Sequence, residues 1–356
     1  MRLLKIGIVT IYRGTNYGAF LQANALRRYL ADRGHDVFFV KHRARKPFLA
    51  LGKRSIEACM HMKPGNIPFY IQQYRELNRY GKVLKEIEMS KLSKLDMAFY
   101  GSDEIWNIKR KRIHKFPVFF GLKMPERVHK YSYAPSVNNS DEGEFSPYPD
   151  CVEGIKSMKR ISVRDEISKW VIDTVTGQDS LVVVDPTLLQ KKSYYDKVAS
   201  KEKFEGKNVL IYSYGKEEKQ QKNIINKLSK CGRDGGFKFI SILEPLGWAD
   251  RNLPVNPKQM LALYRDSEFV VTDTFHGIIF SLIYRKPFAI LPVSSNKVDA
   301  LAKMFGLQDR ILTEANVEEL FNTAPDFDAI EKKIAPYREA SEEYINDILR
   351  DEHRII

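Results

Sequence analysis

The sequence predicts an α/β protein of two domains, each built around a parallel sheet. Apolar strand-like segments alternate with helical patterns along most of the 356 residues, which is typical of parallel α/β sheets. This length exceeds what one hydrophobic core usually serves, so two domains are expected. A strand-ending proline, Pro186, and the polar stretch 191–207 predict the boundary. Residues 1–186 would form the first domain, 187–326 the second, and 327–356 a C-terminal helical tail.

The first domain is predicted to begin with a strand at 3–11. A loop at 12–18 follows, and then a helix in which small and apolar residues recur at helical spacing until Gly34. A second strand covers 37–41. The pattern then breaks for about fifty residues, longer than a usual loop, with a helix expected around 70–87. The remaining strands of this domain are predicted at 95–100, 128–133, 161–164 and 181–184.

The second domain repeats this plan, and the tail is expected to dock on the body of the protein. Its strands are predicted at 209–214, 239–243, 269–273 and 288–291. The tail is charged and helical, but it also carries an apolar stripe that favours docking. The stripe consists of Ile330, Ile334, Tyr337, Tyr344, Ile345 and Ile348.

Composition points to anionic partners and to a reducing compartment. The formal net charge of +13 favours phosphates, nucleic acid or an anionic membrane as partners. The three cysteines are far apart and lack CxxC spacing, so neither a disulfide framework nor a metal site is expected. No apolar run approaches the length that spans a bilayer. We expect a cytoplasmic location. The basic stretches 41–54 and 109–112 are either solvated charge or docking sites at the inner, anionic face of the membrane.

The most informative segment is the predicted strand-to-helix junction at 270–282. Asp273 and His276 lie at this junction, and ligands of open α/β sheets bind outside the carboxyl ends of strands. The helix N-terminus also favours an anion such as phosphate, which His276 would contact. A histidine that merely packs at a strand end is the alternative. Asp273 could orient the imidazole, accept a hydroxyl proton or cap the helix.

Polar or glycine-rich loops also follow other predicted strands. Residues 14–18 resemble a ligand-approaching turn or a plain βα turn, and 101–107 combine an indole with polar groups suited to a sugar or, alternatively, to a turn with a half-buried Trp. Arg164 at another strand end suits a carboxylate or phosphate, or an ion pair with Asp165 or another nearby acid. Together these strand ends predict one ligand-binding cleft between the two domains.

Six segments of the chain resemble, in order, the motif series of the polysaccharide pyruvyl transferase family. They are NYGAFLQA at 16–23, GSDEIWN at 101–107, YSYAPS at 131–136, SVRD at 162–165, DPTLL at 185–189 and DTFHG at 273–277. The resemblance implies a GT-B-like fold of two Rossmann-like domains facing across a cleft. It also implies transfer of a pyruvyl group from phosphoenolpyruvate to a sugar, forming a cyclic ketal on a surface glycan or its precursor. The chain departs from the common pattern at Glu104, where Gln is usual, and in the basic run at 109–112.

The family's functional His and Arg would fall on His276 and Arg164. We predict His276, Arg164 and Asp273 as catalytic residues. Phosphoenolpyruvate would be the co-substrate, and no cofactor is expected. The carboxylate and phosphate of phosphoenolpyruvate would be held by Arg164, Lys286 and the helix that begins near His276. The predicted substrate-binding residues are Asn16, Tyr17, Gly18, Gln22, Ser102, Asp103, Trp106, Asn107, Ser136, Thr274, Phe275, Gly277 and Lys286. The acceptor would be a sugar, either free or linked to a lipid pyrophosphate.

Two other functions remain as alternatives. The first is a GT-B glycosyltransferase that uses a nucleotide sugar. Such enzymes often carry an E-x7-E pair in the second domain, whereas the spacing occurs here at Glu331 and Glu339 of the charged tail. The second is a non-enzymatic protein that binds nucleic acid or an anionic glycan. The basic residues are dispersed among acidic ones and no nucleic-acid motif is present, so we expect no nucleic-acid partner.

Overall fold

The N-terminal domain contains a five-stranded parallel sheet. The computed structural model of the protein describes residues 2–13, 16–42, 64–81, 84–110, 113 and 116–355. The strands of the first sheet are β1 (Lys5–Val9), β2 (Asp36–Lys41), β3 (Glu86–Glu88), β4 (Met97–Tyr100) and β5 (His129–Ser132), in the order β3-β2-β1-β4-β5. A short parallel pair, β6 (Ser162–Val163) and β7 (Leu181–Val182), lies beyond β5 and is joined to it by a bridge between Tyr131 and Arg160.

The C-terminal domain repeats this topology. Its strands are β8 (Asn208–Tyr212), β9 (Lys238–Ser241), β10 (Arg251–Asn252), β11 (Phe269–Thr272) and β12 (Phe288–Ile290), in the order β10-β9-β8-β11-β12. Every neighbouring pair in both sheets is parallel. The strand order therefore reverses between β1 and β4 in one domain and between β8 and β11 in the other. These reversals are the positions where open α/β sheets bind ligands.

Helices cover both sheets. Those of the N-terminal domain are α1 (Tyr17–Ala31), α2 (Ile67–Gly81), α3 (Pro149–Lys156) and α4 (Glu166–Thr176). Those that follow are α5 (Lys192–Val198), α6 (Lys222–Asp234), α7 (Pro257–Asp266), α8 (Phe275–Tyr284), α9 (Asn296–Phe305), α10 (Val317–Asn322) and α11 (Phe327–Ile355). Every residue of β4, β8 and β11 is buried, as expected for strands covered on both faces. One apolar cluster runs from β1 and α1 through α7 and α8, so the two domains share part of their core.

The predicted parallel α/β architecture is confirmed, but some element boundaries differ. The helix expected around 70–87 ends at Gly81, and residues 86–88 form β3 at the sheet edge. The short edge strand β10 was not predicted either. Both edge strands carry charged or polar residues and lack the apolar runs that identify central strands.

The tail docks as predicted. Its helix α11 begins beside the C-terminal domain, where Arg285 contacts Asp328, and its far end packs on the N-terminal domain. There Tyr344 donates a hydrogen bond to the Ser132 carbonyl oxygen and the fully buried Glu352 contacts His129. Five predicted stripe residues are buried and Tyr337 is half-buried. Within the described part of the chain, no helix is both long and apolar enough to cross a membrane.

Candidate functional site

A polar cleft of about 990 Å³ lies where the carboxyl ends of the two sheets face each other. The loop after β1, which leads into α1, and the loop after β4 form one wall. The loops after β8 and β11 and the start of α9 form the other. Its lining includes Asn16, Asp103, Glu104, Asn107, Lys109, Arg110 and Asn138 from the first domain, and Tyr214, Lys216, Asp273, Thr274, Ser294 and Lys297 from the second. The cleft therefore coincides with the strand-order reversals of both domains.

Asp273 lines this cleft at the end of β11. Its carboxylate accepts hydrogen bonds from the Ser213 hydroxyl at 2.7 Å and from the Tyr214 backbone N–H at 3.1 Å. Burial raises its pKa, and these hydrogen bonds only partly oppose that shift. Two predicted roles are wrong: Thr274, not Asp273, caps α8, and the carboxylate that lies beside His276 belongs to Asp185. The remaining predicted role, acceptance of a hydroxyl proton, stays a prediction.

Behind the cleft lining, a set of polar residues that we call the buried cluster surrounds the Asp185 carboxylate. Asp185 Oδ2 lies 3.2 Å from Arg164 NH1, 3.3 Å from Ser102 Oγ and 3.6 Å from His276 Nε2. Asp185, Arg164 and His276 are 2%, 4% and 7% exposed. Burial alone would raise the pKa of Asp185, but His276 and Arg164 outweigh it and hold that pKa well below its usual value. Arg164 thus forms an ion pair with a nearby acid, which was the alternative to direct substrate binding.

Close backbone packing holds His276 in place. It is the second residue of α8, and its imidazole lies against Gly18 in the first turn of α1. A Cβ atom at Gly18 would lie only 2.1 Å from His276 Nδ1, so a side chain there would displace the ring. The central carbon of the Arg164 guanidinium lies over the Phe275 ring, 4.2 Å from the ring centroid. The His276 imidazole is therefore held by residues of both domains.

The structure divides the predicted site residues into three groups. Asn16, Asp103, Asn107, Asp273 and Thr274 line the cleft. Gly18, Ser102, Arg164, Phe275 and His276 belong to the buried cluster or pack against it. The remaining predicted residues, Tyr17, Gln22, Trp106, Ser136, Gly277 and Lys286, do not line the cleft.

Aromatic and amide side chains of the third group serve the fold. Tyr17 is buried at the domain interface and donates a hydrogen bond to the Val255 carbonyl oxygen. Gln22 is buried and donates to Ala19 and Thr10. Trp106 is completely buried, with its indole N–H donating to the Phe119 carbonyl oxygen, so the predicted sugar-stacking face is wrong. A loop tryptophan was mistaken for a ligand contact because its burial depends on residues 117–120, which come later in the chain.

The other three residues are also corrected. Ser136 is buried and donates to Asp165, which itself caps α4. Gly277 is required for packing, because a Cβ there would lie 1.9 Å from Thr272 Oγ1. Lys286 lies just beyond the C-terminal end of α8, about 15 Å from its N-terminus at the usual helical rise. Burial lowers the pKa of Lys286, and its position beyond the far end of α8 keeps it out of the cleft lining.

Sequence reasoning missed three residues that shape the site. In the sequence Asp185 belongs to the DPTLL motif, and an acid directly after the predicted strand at 181–184 is a usable signal for a site residue. Lys297, which pairs with Glu104 across the cleft, had no motif to mark it. Tyr214 accepts a hydrogen bond from Asn16 Nδ2 at 3.1 Å across the domain interface. Of the basic stretches, 43–54 and 111–112 lie outside the described residues, and Lys41 pairs with Glu88.

Solved structures similar to this chain share its two-domain fold. A Listeria monocytogenes protein described as a UDP-N-acetylglucosamine 2-epimerase aligns with a TM-score of 0.58 at 10% identity, covering 98% of this chain and 96% of that one. The Neisseria meningitidis UDP-GlcNAc 2-epimerase, solved with UDP-GlcNAc, gives 0.53 at 13% identity, covering 98% and 100%. The Methanocaldococcus jannaschii enzyme gives 0.52 at 10% identity, covering 91% and 93%. No curated protein sequence matches the chain.

These similarities, together with the two facing sheets, define the fold as GT-B, the class of two-domain α/β proteins with a cleft between the domains. The family model for polysaccharide pyruvyl transferase matches residues 16–295, which include most of the residues that line the cleft. The chain belongs to the polysaccharide pyruvyl transferase family. It is therefore a transferase that acts on a sugar or polysaccharide acceptor.

Proposed function

We propose that the protein transfers the pyruvyl group of phosphoenolpyruvate to two hydroxyls of a sugar, forming a cyclic ketal on a cell-surface or exopolysaccharide glycan or its precursor. The observation that carries this proposal is the family match over 16–295, which covers most of the residues that line the cleft and the whole buried cluster behind them. A cleft of about 990 Å³ has room for a small donor beside a sugar. Phosphoenolpyruvate acts as co-substrate, and the proposed reaction uses no separate cofactor or metal.

The reaction balances without any redox partner. A proton adds to the methylene carbon of the enol, and a sugar hydroxyl attacks the resulting cationic carbon and loses its proton. The bond between that carbon and the phosphate oxygen then breaks, and phosphate leaves with its electron pair. A second hydroxyl attacks the same carbon and loses its proton, which closes the ring. One of the two released protons replaces the proton consumed and the other accompanies phosphate.

We assign the proton transfers to two residues near the N-terminus of α8. His276, whose Nε2 lies 3.6 Å from Asp185 Oδ2, delivers the proton to the enol carbon. Asp273 accepts the hydroxyl proton, a role that its raised pKa and its position on the cleft wall support. Arg164 is a positioning residue, because its guanidinium holds Asp185 and packs on Phe275.

The test is incubation with phosphoenolpyruvate and a panel of glycan acceptors, following phosphate release and the mass of the sugar product. We expect both signals with wild-type protein. Asp273→Asn should lower turnover at least about tenfold with little loss of donor affinity, because the amide cannot accept a proton. Glu153→Gln, which removes one acid from the surface of α3, is the matched control and should leave turnover unchanged. Phosphate release without a change in the sugar mass would contradict the proposal.

A nucleotide-sugar glycosyltransferase is the second candidate, because a similar fold binds UDP-GlcNAc in the Neisseria meningitidis epimerase. Thermal shift separates the two candidates. Phosphoenolpyruvate should raise the melting temperature and UDP-sugars should not. Stabilisation by a UDP-sugar alone would favour glycosyl transfer.

We further propose that the protein works in the cytoplasm, with its basic surface in contact with the inner face of the membrane and its acceptor linked to a lipid pyrophosphate. The net charge of +13 supports this proposal. Sedimentation with anionic vesicles tests the membrane contact. Binding at low salt that weakens as salt rises is expected, and no binding at low salt would contradict it.

A further inference from the structure

Outside the buried cluster, a second charged contact joins the two domains. We call it the cross-cleft pair: Lys297 Nζ donates to Glu104 Oε1 at 2.7 Å. Glu104 belongs to the loop after β4 in the N-terminal domain, whereas Lys297 is the second residue of α9 in the C-terminal domain. Both residues line the cleft, so the pair lies inside the space that we assign to substrates.

The environment of Glu104 keeps its carboxylate ionised. The side chain is only 4% exposed, and burial by itself would raise its pKa. Lys297 and Arg110 more than offset this effect and lower the pKa to about 2. Arg110 NH1 lies 3.4 Å from Glu104 Oε2, and Asn107 Nδ2 donates to the same oxygen at 3.3 Å. The carboxylate thus sits among cationic and N–H donors from both domains.

Carboxylate and phosphate groups are recognised by the same donors. A Lys ammonium and an Arg guanidinium bind either anion with charge-assisted hydrogen bonds. In the empty cleft, Lys297 and Arg110 already bind such an anion, the carboxylate of Glu104. Lys297 is 26% exposed and Arg110 is 54% exposed, so both can reach a ligand in the cleft without unfolding the loop.

We propose that Glu104 is an internal competitor for the anionic substrate: its carboxylate occupies Lys297 in the empty cleft, and a phosphate or carboxylate of the substrate displaces it. This inference rests on the proposed function, because it assigns the substrate to the same cleft. Glu104 therefore lowers the affinity for anions and selects ligands that offer more than one anionic group to the donors. A substrate with two such groups replaces the single carboxylate with a net gain of contacts.

Titration calorimetry with inorganic phosphate and with phosphoenolpyruvate tests the competition. Glu104→Gln keeps the shape of the side chain but removes its charge. We expect it to bind both anions about tenfold more tightly than wild-type protein, within the range typical of coupled sites. Lys297→Gln should bind them more weakly than wild type. The variant that combines Glu104→Gln with Lys297→Gln should bind the anions no more tightly than Lys297→Gln alone, because the gain in affinity requires the lysine.

Two further variants keep the test decisive. Glu153→Gln removes one remote surface charge and should leave anion affinity unchanged, which excludes a general effect of net charge. If Glu104→Gln melts early, Glu104→Asp withdraws the carboxylate by one methylene and should give a smaller gain in affinity. The inference is overturned if neither Glu104 variant binds the anions more tightly, or if the gain persists without Lys297. The expected binding pattern without any pyruvyl transfer would instead contradict the proposed function alone.

Discussion

The buried cluster and the cross-cleft pair both join the two domains through a carboxylate, but their surroundings differ. Asp185 is completely enclosed by protein groups, with Arg164 and His276 both nearly inaccessible. Glu104 is also buried, yet its partners Lys297 and Arg110 remain partly exposed in the cleft. An enclosed charge cannot exchange its partner for a ligand or for water, whereas an exposed partner can. The enclosed Asp185 carboxylate therefore suits the positioning of Arg164 and His276, and the cross-cleft pair suits exchange with a ligand.

The largest effect is expected from removing the carboxylate of the buried cluster. Asp185→Ala leaves the Arg164 guanidinium buried without its partner and should lower the free energy of unfolding by about 3–5 kcal/mol. Urea denaturation measures this change. The control is Asp328→Ala, which removes the acid of the exposed ion pair with Arg285. It should change the free energy of unfolding by less than about 1 kcal/mol. Equal effects of the two substitutions would show that the enclosure of Asp185 is unimportant.

The second prediction separates the chemistry of the buried cluster from its structural role. His276→Ala should lower turnover by roughly a hundredfold with little change in donor affinity, because proton delivery is lost. The ring also packs against Gly18, so a moderate loss of stability should accompany it. Turnover per folded molecule, donor affinity and melting temperature distinguish the two effects. A variant that melts early but retains full turnover when folded would identify His276 as a packing residue.

The third prediction concerns a substitution that displaces the His276 imidazole and leaves the histidine itself in place. Gly18→Ala introduces a Cβ 2.1 Å from His276 Nδ1, and the forced shift should destabilise the protein by about 1–3 kcal/mol and lower turnover at least about tenfold. Gly247→Ala is the matched control, since a Cβ there meets no atom within 4 Å. Unchanged turnover in Gly18→Ala would mean that the position of the ring does not limit the reaction.

The smallest effect concerns acid stability. The pKa of Glu104 falls from 4.5 to about 2 on folding, so the protein binds fewer protons at this site when folded. The stability that this shift contributes is complete above pH 4.5 and is lost as the pH falls toward 2. Urea midpoints measured over this window should fall less steeply for Glu104→Gln than for wild type. An identical slope would show that the cross-cleft pair does not perturb Glu104.

Much of the fold could be predicted from the sequence because its signals are local. The strands β4, β8 and β11 are apolar runs, and the helix after β11 follows its strand within three residues. The edge strands β3 and β10 were missed because charged and polar residues give no such run. In the site, Asn16, Asp103 and Thr274 could be predicted because each lies in the loop that follows a predicted strand.

The sequence by itself determined the alternating architecture, the family and the loops that carry polar groups, since each depends on residues close together in the chain. Only the tertiary structure decided which groups meet. Asp185 and His276 are far apart in sequence, as are Glu104 and Lys297, and each pair forms because two separate sheets face each other. Burial and position also depended on the tertiary structure. Trp106 is buried because its indole packs against residues 117–120, which come later in the chain. Lys286 lies away from the site because α8 carries it to the far end of the helix. Contacts and burial depend on the packing of distant segments, and no local pattern encodes them.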